Sequence, residues 1–126
     1  LVILFLHILA SVYHWYWTYR WIDVPMHFLG GLWLVMIFFW LIEPRLQITN
    51  HILLITIVFA VSFSVFVGVL WEFFEFLYDI FISAKGYTLF QVAQQGVSDT
   101  MSDLFFDLLG GLVFAVAFVK RNFKSQ

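Results

Sequence analysis

Residues 71–79 read Trp71-Glu72-Phe73-Phe74-Glu75-Phe76-Leu77-Tyr78-Asp79 and close an apolar run that opens near His51. The run is long enough to cross a bilayer. It nevertheless ends in three carboxylates that share one helix face, because Glu72 and Glu75 are three apart and Glu75 and Asp79 four. Carboxylates at or inside a membrane are costly, so they mark function by default. The rest of the chain offers them partners: Asp23 and His27 on one side, and Asp99, Asp103 and Asp107 on the other.

Composition sets the class. The 126 residues are 63% hydrophobic and 11% charged, against about 25% charged in soluble domains. Seventeen Phe and six Trp are more than so small a soluble core can hide. The chain therefore reads as one all-α integral membrane domain over residues 1–126, with the lipid bilayer as its first partner. The absence of cysteine excludes disulfides and thiolate metal sites. A net charge of −2 with six scattered Lys and Arg leaves no nucleic-acid footprint. The chain opens at Leu1 inside an apolar run, which reads as a trimmed N-terminus.

Working outward, four spans are expected, at about 1–21, 25–42, 51–81 and 99–119, with a polar loop over 83–98. The first ends in the aromatic belt His14-Trp15-Tyr16-Trp17-Thr18-Tyr19-Arg20-Trp21. Asp23-Val24-Pro25 starts the second, with Asp23 as N-cap, and Pro44 stops it. Lys85-Gly86 reads as a turn. The resulting architecture is a four-helix bundle of two helical hairpins with a polar site near one membrane face. Arg45, Lys120, Arg121 and Lys124 fall on one side, and Arg20 and Lys85 on the other. The positive-inside rule then gives a multi-pass plasma (inner) membrane protein with both termini cytoplasmic and the acidic cluster external. Seven of the eight acids, with His27, gather at that one face; Glu43 alone lies opposite.

A short repeat joins spans two and four. Asp23-Val-Pro-Met-His27-Phe-Leu-Gly30-Gly31-Leu32 aligns without a gap with Asp103-Leu-Phe-Phe-Asp107-Leu-Leu-Gly110-Gly111-Leu112. It predicts His27 and Asp107 at similar depth, Asp23 and Asp103 a turn nearer the surface, and glycine pairs that let the two helices pack closely.

Asp99, Asp103 and Asp107 form D-x3-D-x3-D, a column one turn apart that suits a divalent cation. Each residue also has a plainer reading. Asp99 suits an N-cap, and Asp103 a capping box with Thr100. Asp107 has no capping role and, a turn deeper among Phe106, Leu108 and Leu109, needs a partner. Glu72 and Glu75 can be solvated at the interface, as can Asp79. The like-charged Glu75–Asp79 pair is relieved by a cation, by Lys85 or Arg20, or by a shared proton. His27 can be a satisfied core histidine, a ligand or a proton relay. His14 suits the belt, His7 a bond to another helix, and His51 a helix start. No nucleophile elbow or phosphate loop is present.

At these residues the chain resembles the VanZ-like small bacterial membrane proteins, and more closely their YjdF-type relatives. Asp23-x3-His27-Phe28, Trp71-Glu72 with Glu75, and Asp99-Thr100-x2-Asp103 with Asp107 carry the likeness, over about residues 23–113. It implies a helical inner-membrane architecture and a site more than an activity. The Asp column is also similar to the metal–diphosphate motif of membrane prenyltransferases, which have more spans and a second such motif.

The expected function is a divalent-metal-dependent enzyme or binder acting on a lipid-linked phosphate, such as a polyprenyl phosphate, or a similar headgroup. Glu72, Glu75, Asp103, Asp107 and His27 are the metal-ligand candidates for Mg²⁺, Mn²⁺ or Zn²⁺. His27, Asp23 and Glu72 are the catalytic candidates, with Asp23 orienting His27. Arg20, Lys85 and Asp99 are the substrate-binding candidates. The alternatives are a proton- or cation-coupled transporter or channel, which at four spans calls for a homo-oligomer, and a scaffold whose polar cluster locks helices together.

Overall fold

The computed structural model describes residues 2–44, 50–81 and 93–123. They form α1 (Val2–Val12), α2 (Trp15–Thr18), a 3₁₀ turn (Arg20–Ile22), α3 (Asp23–Ile42), α4 (Asn50–Phe81) and α5 (Val97–Phe123). No strand occurs among the described residues. Three of these segments are long and apolar enough to cross a membrane: Arg20–Ile42, Ile52–Phe81 and Val97–Arg121. At 32 residues, α4 is about 48 Å long, so it tilts across a core of about 30 Å or emerges from it.

The helix expected over about residues 1–21 is interrupted. Its helix stops at Val12 because His14 adopts the left-handed conformation at φ 57°. Such a conformation costs a non-glycine residue about 1–2 kcal/mol. A compensating contact is the 2.7 Å hydrogen bond between His7 Nδ1 and the Tyr16 hydroxyl, which ties α1 to the short helix that follows. The break divides the aromatic belt between α2 and the 3₁₀ turn that precedes α3. Asp23 is likewise not an N-cap. The 3₁₀ turn feeds directly into α3, Asp23 is already helical, and its side chain is free to face inward.

The glycine pairs act as the repeat predicts. A Cβ on Gly31 would collide with the backbone carbonyl of Asp107, and one on Gly110 with that of Phe28. Helices α3 and α5 therefore run side by side in the same direction with their backbones nearly touching. Helix α4 runs against both: Ser64 sits by Gly111 and donates to the Gly31 carbonyl at 3.3 Å, and Gly68 sits by Asp107. Away from the charged end, Val35, Phe39, Ala60, Val61 and Ala115 form a buried apolar core. Phe39 stacks on Phe118 there with ring centroids 4.1 Å apart. Phe59, Phe66, Phe73, Phe105 and Val116 are more than half exposed on the outer faces, where they suit acyl chains.

Candidate functional site

The glycine contacts bring three acidic helix ends together. Close packing of α3 on α5 puts His27 opposite Asp103 and Asp107, and Gly68 leaves a gap on α4 that the Asp107 carboxylate fills. Asp103, Asp107, Glu72 and His27 are 3%, 4%, 5% and 9% exposed. Taking several ionisable groups this far out of water costs several kcal/mol each unless they are neutralised. Among the described residues no Lys or Arg pairs with them; the basic partner is His27.

His27 divides the carboxylates between its two nitrogens. Nε2 lies 3.6 Å from Asp23 Oδ1 and 3.9 Å from Asp103 Oδ1. Nδ1 lies 3.4 Å from Asp107 Oδ2, the long end of a hydrogen bond. Asp23, His27 and Asp103 each offer one atom within 4.8 Å of the other two. A tetrahedral ion bound at 2.0–2.1 Å has ligand edges of about 3.4 Å, so the three groups would have to draw closer to close on a cation. Asp107 on the far nitrogen is placed as the orienting partner that metal-bound histidines generally have.

Glu72 stands beside this group. One oxygen, Oε2, accepts from Gln94 Nε2 at 3.3 Å, and the same amide donates to Thr100 Oγ1 at 2.8 Å. The other, Oε1, is buried without a partner in the structure. A buried carboxylate oxygen left in that state is expensive and calls for a cation, a proton or a water.

The remaining candidates separate. Glu75 accepts from Trp71 Nε1 at 3.0 Å and faces a cavity of about 420 Å³ beside the cluster, which Asp23 also lines. Asp79 is not simply solvated: it accepts the backbone N–H groups of Ala93 at 2.7 Å and Gln94 at 2.9 Å, and so holds the start of the final segment to the end of α4. Asp99 accepts the Gln95 N–H at 3.0 Å from inside the first turn of α5, where Gly96 is the cap. Thr100 serves Gln94, so the expected Thr100–Asp103 box does not form and Asp103 turns to His27. Arg20 is exposed on the 3₁₀ turn. Lys85 and most of the 83–98 loop lie outside the described residues.

Three groups at the site were given no individual role by the sequence. Tyr16 bonds His7, Trp71 holds Glu75 and meets the His7 ring edge-on at 4.9 Å, and Gln94 links Glu72 to α5. His7, Tyr16, Asp23 and Trp71 line both the larger cavity and a second of about 160 Å³, which also reaches His27, Gly68 and Asp107. For Tyr16 and Gln94 the signal available was a polar residue in an aromatic belt or a loop, and neither is specific.

No curated protein and no solved structure matches the chain. A family model described as predicted membrane protein (DUF2238) matches residues 1–123. With spans that suit a bilayer and a match over nearly its whole length, the chain belongs to the DUF2238 family of predicted membrane proteins.

Proposed function

We propose that this membrane protein binds one divalent cation between Asp23, His27 and Asp103, and uses it on a lipid-linked phosphate or a similar headgroup. The observation that carries the reading is the division of His27 between Asp23 and Asp103 on Nε2 and Asp107 on Nδ1. One imidazole and two carboxylates favour Zn²⁺ or Mn²⁺ over Mg²⁺, which prefers an all-oxygen octahedron. Three protein ligands leave a coordination position open, as catalytic rather than structural sites do. Bound there, a cation would supply Lewis acidity to a phosphoryl oxygen. Glu72, with an unpartnered oxygen, is the group best placed to accept a proton or complete the ligand set.

The test is metal content and affinity of purified protein, wild type against Asp103→Asn. About one Zn²⁺ or Mn²⁺ per chain, lost in the variant, supports the reading; equal and negligible binding in both rejects it. The VanZ-like and YjdF-type likeness belongs to this reading, on the strength of three ordered motifs. So does a plasma-membrane location with Lys120 and Arg121 cytoplasmic and the cluster external, by the positive-inside rule.

One observation favours a second reading, a proton or cation path. Asp23 lines both cavities, and the chain of contacts Asp23–His27–Asp107 continues along the smaller one. Flux in proteoliposomes separates the two, since a metal-dependent enzyme shows none.

A further inference from the structure

We infer that the larger cavity, between α1–α2 and the charged end of α4, is a binding site for an organic ammonium group, either an amine or a quaternary ammonium. Its volume of about 420 Å³ falls within the range of small-ligand pockets. Its wall is acidic and aromatic at once: Asp23 and Glu75 supply carboxylates, and Tyr16, Trp71, Phe74 and Tyr78 supply rings. No Lys or Arg lines it among the described residues; its only basic groups are the imidazoles of His7 and His14.

Charge and solvation together select the ligand. Two carboxyl groups and no Lys or Arg among the described residues leave an anionic group without a cationic partner on this wall. A small hydrated metal ion would leave the aromatic surface unused. An ammonium group on an apolar body meets both, by ion pairing with the carboxylates and by cation–π contact with the rings. The wall is also organised in advance. Trp71 Nε1–H donates to Glu75 Oε1 at 3.0 Å, so one bond holds the indole and the carboxylate relative to each other. Trp71 in turn stands against Phe74, ring centroids 5.7 Å apart, and against His7.

The inference does not require the cation site. Where both hold, their juxtaposition at Asp23 suits a zwitterionic headgroup, with phosphate toward His27 and ammonium toward Glu75. The smaller cavity, lined by Ile3, Leu4, Met26 and Trp33, then receives the apolar part. This extension rests on the proposed function.

The ligand's source, free amine or lipid headgroup, is decided by experiment. EDTA-treated protein in a maltoside detergent is titrated with tetramethylammonium and ethanolamine chlorides against KCl, reading tryptophan fluorescence. The expected result is a saturable change with an organic ammonium and none with KCl, weakened at least tenfold in Glu75→Gln and in Phe74→Leu. Phe74 is 59% exposed, so its replacement removes a wall without disturbing a packed core. Asp103→Asn, which lies outside the cavity lining, should keep this binding while losing metal, so failure of one reading is distinguished from failure of the other. In parallel, native mass spectrometry counts lipids retained from phosphatidylglycerol nanodiscs with and without phosphatidylethanolamine. Enrichment of the amine-headed lipid, lost in Glu75→Gln, assigns a headgroup; saturable free-amine binding without enrichment assigns a soluble amine. No response beyond KCl and no enrichment, or a response unchanged in both variants, overturns the inference.

Discussion

Asp107 fills the space that Gly68 leaves on the facing helix: a Cβ at position 68 would overlap Asp107 Oδ2. Two effects then compete in Gly68→Ala. Alanine raises helix propensity by about 1 kcal/mol, whereas forcing an extra carbon into a packed contact costs about 1–3 kcal/mol. The carboxylate must also leave the His27 nitrogen it orients. The expected outcome is a lower melting temperature and weaker metal binding, measured by thermal unfolding in detergent and by metal titration. An unchanged or raised melting temperature with normal metal affinity would show that Asp107 has somewhere else to go.

Asp103 and Asp107 should differ in kind. Asp103 faces Nε2 with Asp23 and is a proposed ligand, so Asp103→Asn should abolish stoichiometric binding. Asp107 acts through Nδ1, and orienting partners of this kind are worth about 10–100-fold in affinity. Asp107→Asn should therefore weaken Zn²⁺ binding within that range without eliminating it. Isothermal titration of the two variants under identical conditions separates the roles; identical losses would assign both as ligands or neither.

Metal removal should destabilise the helix bundle. A ligand that binds the folded state alone adds about 2.7 kcal/mol at a hundred times its dissociation constant. Chelation of the wild type should lower the melting temperature, and readdition should restore it. Because carboxylates and imidazole bind as their deprotonated forms, the stabilisation should fade as pH is lowered. A melting temperature indifferent to chelator would favour the scaffold reading of the cluster.

Neighbouring glycines should behave oppositely. A Cβ on Gly31 meets the Asp107 backbone, which has nowhere to move, while one on Gly30 lies an ordinary 3.8 Å from Asp107 Oδ1. Gly31→Ala and Gly110→Ala should separate α3 from α5 and destabilise severely, whereas Gly30→Ala should be tolerated. Thermal unfolding of the three variants side by side provides the check.

Asp79 should be structural. Its carboxylate holds the amides of Ala93 and Gln94, and Gln94 positions Glu72. Asp79→Asn weakens two hydrogen bonds to a charged acceptor, each worth about 1.5–3 kcal/mol. Hydrogen exchange at Ala93 and Gln94 should accelerate while the core near Val35 and Phe39 stays protected; unchanged exchange would mean that the clamp contributes little.

Composition and the order of apolar runs were enough to fix the class and the gathering of charge. Apolar runs of bilayer length, alternating in direction, necessarily bring the start of α3, the end of α4 and the start of α5 to one side, whatever the packing. That alone assembled Asp23, His27, Glu72, Asp103 and Asp107, and the paired Gly-Gly steps marked where α3 and α5 touch. Tertiary structure decided how the helices are rotated and slid against one another, and therefore which carboxylate meets which ring nitrogen. Asp23 became a proposed ligand and Asp107 the orienter because Gly31, Gly68 and Gly110 set the approach to a few tenths of an ångström, finer than any spacing rule resolves. The break at His14 was hidden for a related reason. Nothing in an aromatic-rich run distinguishes a continuing helix from one interrupted at a single residue, when the interaction that accompanies the interruption is a bond from His7 to Tyr16 nine residues away.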